Sequence, residues 1–201
     1  LAQTLPFQIR NHELEAKETH IMLDRAAHPH TRAIIDAWRR LSSNADQTTS
    51  DPKIEDFPNL LGSLFVLRHS EDGIWTFANA GKDIHNVIGR ELLDHDFLKL
   101  WRGRDMSLVG AQLDAVRYGS APGIIRGRAE TLSGQVVEIE VALAPLRSPT
   151  TNADRILGLY QMLGGEGLLA GRPIWRHSVG AIFPPEAPRE EPQLRLVASN
   201  E

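Results

Sequence analysis

Two stretches of strict alternation constrain this chain more than any other feature. Ile125, Gly127, Ala129 and Thr131 alternate with Arg126, Arg128 and Glu130, and Val137, Ile139, Val141 and Leu143 alternate with Glu138 and Glu140. A period of two marks strands with one apolar and one polar face. The loop between them, Leu132-Ser133-Gly134, suits a three-residue hairpin with Gly134 in the left-handed position of a bulge. Register follows: Thr131 faces Gln135, Arg128 faces Glu138, and Arg126 faces Glu140. Opposite charges then meet on a wet face, each pair worth roughly 0.2–1 kcal/mol. A slip of one residue would set charges against apolar side chains, so the register has a physical cause.

The rest of the chain supplies partners for this hairpin. Residues 64–68 and 74–77 read as two strands around the turn Ser70-Glu71-Asp72-Gly73, and residues 156–163 as a fifth strand. Between the two pairs, residues 82–87, 91–101 and 105–118 read as short helices; the last places Met106, Val109, Leu113 and Val116 on one face. Hairpin links are too short for parallel crossovers. The expected fold class is therefore α+β: a five-stranded antiparallel sheet with the helices on one face, burying Trp75, Phe77, Ile139 and Val141. Upstream, residues 31–41 form an amphipathic helix with Thr31 as N-cap and Ile34, Ile35, Trp38 and Leu41 in one stripe. An isolated helix of this length is marginal in water, so the stripe must dock on the chain's own sheet or on a second subunit.

This reading divides the chain into a polar arm (1–27), the amphipathic helix and its linker (28–51), the core (52–163) and an extension (164–201) whose residues 183–192 are rich in proline and charge. Of the 201 residues, 41% are hydrophobic, too many for wholesale disorder, and the net charge of −4 argues against nucleic acid. The longest nearly apolar stretch, residues 60–67, is far short of a membrane span, and residues 1–10 lack the pattern of a signal peptide. Cytoplasm is the expected compartment. The absence of cysteine excludes disulfides, thiolate ligands, iron–sulfur clusters and Cys nucleophiles.

Candidate chemistry is sparse. There is no nucleophile elbow, no phosphate-binding loop and no His-Glu-x-x-His. Gly164-Gly165-Glu166-Gly167 lacks the remaining positions of a dinucleotide fingerprint. His95-Asp96 has no further ligands at metal spacing and reads as a solvated helix face; His28 and His30 read as capping or surface residues. Arg172 and Arg176 share an Arg-x-x-x-Arg spacing able to grip phosphates, but read better as arginines around an anchoring Trp175. No metal, cofactor or catalytic residue is expected.

The order strand–strand–helices–strand–strand–strand resembles the PAS fold. Residues 28–163 resemble a PAS subfamily abundant in alphaproteobacteria, through the helix carrying Trp38, Asp51-Pro52 leading to Leu60-Leu61, Ala80-Gly81, Gly89-Arg90-Glu91-Leu92, Leu143-Ala144-Pro145-Leu146 and Arg155-Ile156-Leu157-Gly158. The resemblance implies a non-enzymatic sensory or regulatory module, acting in bacterial signalling on a signalling-protein partner, with flanking helices that form a homodimer. It also implies a possible small apolar ligand between sheet and helices, where Phe77, Phe97, Trp101, Leu113 and Ile139 would line the cavity if they are not simply core. The Ile34, Ile35, Trp38 and Leu41 stripe is the candidate dimer or partner interface. Haem would require a His on the 105–118 helix, which has none, and flavin photochemistry requires the missing Cys.

Overall fold

The computed structural model describes residues 28–43, 58–146 and 155–185. The 1–27 arm, most of the linker and residues 186–201 lie outside the described residues. The elements run α1 (Pro29–Ser43), a 3-10 turn (Pro58–Ser63), β1 (Leu64–His69), β2 (Trp75–Ala80), α2 (Lys82–Ile88), a 3-10 turn (Phe97–Leu100), α3 (Arg104–Gly119), β3 (Gly123–Thr131), β4 (Val136–Leu146), β5 (Arg155–Met162), the single turn α4 (Glu166–Leu169) and β6 (Ile174–Phe183). All six strands form one antiparallel sheet in the order β2-β1-β5-β4-β3-β6.

The α+β class and the hairpin register hold. Arg128 pairs with Glu138 and Arg126 with Glu140. The Thr131 N–H donates to Gln135 O at 3.0 Å, closing the turn, and Gly134 sits at φ 84°, where a side chain would be strained. The sheet has a sixth strand, however, from the segment placed beyond the core. β6 pairs with β3 through two register shifts, which interrupt the alternation that would have revealed it.

Residues 91–101 do not form the expected helix. Glu91 accepts the Leu92 and Leu93 N–H groups, and Asp94 turns the chain at φ 59°. Asp96 caps the short Phe97–Leu100 turn by accepting from Leu98 N–H at 2.9 Å. Such side-chain bonds to nearby backbone compete with a helix. The segment instead pairs with both outer strands: Leu93 and Asp96 bridge Phe77 and Thr76 of β2, while Trp101 bridges His177 of β6. One belt thus spans the two edges of the sheet.

Both sheet faces are covered. On the inner face, Phe65, Leu67, Phe77, Ile139 and Val141 pack against α2, the belt and α3. Gly158 lies within this packing, where a Cβ would run into the Phe65 ring. On the outer face, α1 brings Ile34 onto Leu64, Val66, Ala142, Leu157 and Leu159, and Ile35 onto Ile124 and Phe183. The helix starts at Pro29 rather than after Thr31, as suits a residue without an N–H, and His28 Nδ1 accepts from the His30 N–H at 3.2 Å. The Trp38 Nε1–H donates to Pro145 O at 2.8 Å.

This seat buries the acid of one of the two cross-strand charge pairs that the sequence places on a wet face. Glu140 has no exposed side-chain surface; its Oε2 accepts from Arg126 Nε at 2.9 Å and its Oε1 from His28 N–H at 3.0 Å.

Candidate functional site

The five residues expected around a ligand cavity do converge. Phe77, Phe97, Trp101, Leu113 and Ile139 belong to one inner cluster, each at most 1% exposed. Strand parity sends Phe77 and Ile139 inward, while the belt and α3 supply the other three. Two of them meet ring to ring with Phe65: the Phe65, Phe77 and Phe97 rings stand 5.5–5.6 Å apart, a normal separation for rings in contact.

A polar pole that sequence reasoning missed sits in the same cluster. Tyr160 of β5 and His177 of β6 are both buried, with Tyr160 OH 3.0 Å from His177 Nε2. His177 Nδ1 lies 3.3 Å from Leu100 O in the belt, and its ring stands 5.2 Å from that of Trp101. A carbonyl can only accept, so Nδ1 carries the proton and Nε2 accepts from the tyrosine. Desolvation pushes His177 down to about 4, against the opposing Leu100 bond, and pushes Tyr160 up. The Trp101 Nε1–H is buried without a hydrogen-bond partner among the described residues. No sequence signal marks this pole, because His177 lies on the strand whose alternation is broken.

A histidine pushed down on folding binds fewer protons folded than unfolded. The neutral ring therefore contributes its full stability above about pH 6.5 and loses it as pH falls towards 4, a change of about 3 kcal/mol. Urea denaturation should show the native chain losing that much more stability between pH 7 and 4 than the double variant His177→Leu/Tyr160→Phe. Parallel losses would refute the assignment.

β6 is further pinned from α3. Gln112 Nε2 donates to Phe183 O at 2.9 Å, and Val179 N–H donates to Asp105 Oδ2 at 3.1 Å. Arg176 is ion-paired with Glu130, and Trp175, 40% exposed, has the Arg102 guanidinium 4.2 Å and that of Arg176 5.7 Å from its ring centre. The Arg172–Arg176 spacing therefore does not present two free guanidiniums.

Of the two seats open to the α1 stripe, Ile34, Ile35 and Trp38 occupy the chain's own sheet, at 2%, 0% and 8% exposure. The Leu41 side chain lies outside the described residues. Elsewhere, a groove of about 380 Å³ opens at the β2 edge, between Ile74 and Thr76 on one side and residues 93–96 on the other, flanked by Arg90 and Lys99. No helix among the described residues is long and apolar enough to cross a membrane.

A family model described as a PAS domain matches residues 26–161. No curated protein matches the chain. Among solved structures, similar ones include the Rhodobacter sphaeroides LOV protein (17% identity, covering 58% of this chain and 69% of that one, TM-score 0.44). The dark structure of the blue-light photoreceptor Aureochrome1 LOV is also similar (14% identity, 60% and 93%, TM-score 0.44). So is the Drosophila melanogaster Cycle PAS-B with bound ethylene glycol (17% identity, 49% and 99%, TM-score 0.40).

Proposed function

We propose that this chain, which belongs to the PAS domain family, is a sensory and regulatory module that acts in bacterial signalling by contacting another signalling protein, without catalysing a reaction. The supporting observation is the inner face, where Phe65, Phe77 and Phe97 are buried and packed ring against ring. A module whose interior is closed by its own side chains would communicate through its surface. We place it in the cytoplasm as a homodimer. With Ile34, Ile35 and Trp38 seated on the chain's own sheet, the contact between copies uses other surfaces or an exchange of α1.

A second reading, a receptor for a small, mainly apolar molecule, is favoured by one feature. The Trp101 Nε1–H, without a hydrogen-bond partner among the described residues, lies beside His177 and its partner Tyr160 and is a donor that a ligand acceptor would satisfy. Native mass spectrometry and a thermal-shift screen separate the two readings. The interaction reading expects a dimer carrying no extra mass and a melting point indifferent to small molecules. A retained molecule, or a melting point rising with ligand concentration as mass action requires, would favour the receptor.

A further inference from the structure

The groove at the β2 edge has one-sided chemistry. Its apolar surface comes from Leu93, 53% exposed, and Ile74, 42% exposed. Its two acids are already engaged: Asp94 with Arg68 at 3.2 Å, and Asp96 with the Leu98 N–H. Its cations, Arg90 and Lys99, have no ion-pair partner among the described residues. Strand addition is not open to an occupant where the belt bonds this edge, through Phe77 N–H to His95 O and Asp94 N–H to Phe77 O. What the groove offers is side-chain recognition of a segment with acids next to apolar residues.

Such a segment is present in this chain. Residues 186–201 hold Glu190-Glu191, followed by Leu194, Leu196 and Val197. A relay of contacts leads from the end of the described chain towards the groove. Pro185 lies against Gly119 at the end of α3. Two residues earlier, Arg117 reaches His69 at 3.1 Å, and the His69 ring is 4.7 Å from Trp75, the neighbour of Ile74. Five steps of chain, up to about 17 Å, separate Pro185 from Glu190, and twelve, up to about 40 Å, separate it from Val197.

We propose that residues 190–197 dock in this groove within the same molecule. Glu190 and Glu191 face Arg90 and Lys99, and Leu194 and Leu196 cover Ile74 and Leu93. Tethering gives the segment a high effective concentration, so individually weak contacts suffice. It would act as a built-in competitor, displaced when a partner of like chemistry takes the groove. The inference does not depend on the function proposed above.

The absence of cysteine makes the test direct, because Gln193→Cys is a unique labelling site. A nitroxide there, in the full ¹⁵N-labelled chain, should broaden the amides of Ile74, Thr76, Leu93 and His95 several-fold more than those of β6. Arg90→Glu/Lys99→Glu should erase that selectivity, and adding Glu190→Arg/Glu191→Arg should restore it. Uniform broadening, or groove broadening indifferent to the charge reversals, would overturn the proposal. Spin-labelled unlabelled-nitrogen chain mixed with ¹⁵N chain lacking the nitroxide should leave the groove amides sharp; broadening there would assign the groove to a second copy.

Discussion

Arg126→Met is expected to cost about 3 kcal/mol of folding stability, because it removes the guanidinium from the Glu140 carboxylate, which is buried beneath α1. That carboxylate has no exposed surface, and Arg126 Nε is 2.9 Å from it. The His28 N–H, at 3.0 Å, is a neutral donor to the same carboxylate. Methionine keeps much of the length and packing of arginine, so the loss reports the charge. The converse change, Glu140→Gln, should cost less, about 1–2 kcal/mol: the amide oxygen keeps the His28 N–H, the new NH2 loses the Arg126 bond, and Arg126, 31% exposed, can turn to water. Urea midpoints of both variants check the asymmetry. Equal costs, or a larger one for Glu140→Gln, would mean that the pair does not anchor the helix.

Phe97→Ala is expected to cost about 3–5 kcal/mol and leave a cavity between Phe65 and Phe77. The ring is 1% exposed and contacts both neighbours, so the site cannot collapse without moving the belt. An apolar cavity of this kind stays dry and takes up benzene-sized probes. Benzene at about a hundred times its dissociation constant should then return roughly 2.7 kcal/mol to the variant and nothing to the native chain. Stabilisation of the native chain by the same probe would show an interior already open, and would move the functional reading towards a receptor.

Legibility in the sequence followed the range of the forces involved. The β3–β4 pairing was readable because side-chain parity, turn chemistry and opposite charges all act within about twenty residues and agree. Helix α3 was readable from Val109, Leu113 and Val116, whose spacing states which face is buried. The belt misled because Leu92, Phe97 and Leu100 have helix-like spacing, while Glu91, Asp94 and Asp96 spend their side chains on local backbone groups. β6 escaped notice because its register shifts break the period of two. The five inner residues were legible as one cluster, whereas the Tyr160–His177 contact, across strands that are not neighbours in the sheet, was not.

By itself, the sequence determined the α+β class, the hairpin register and which residues face inward, since each depends on neighbours close along the chain. Only the tertiary structure decided that α1 covers the outer face, that one belt pairs with both outer strands and that Glu140 is buried rather than wet. Those outcomes depend on which surfaces remain unpaired once the sheet has assembled. That competition is settled by the burial of distant residues against each other, and no local pattern records it.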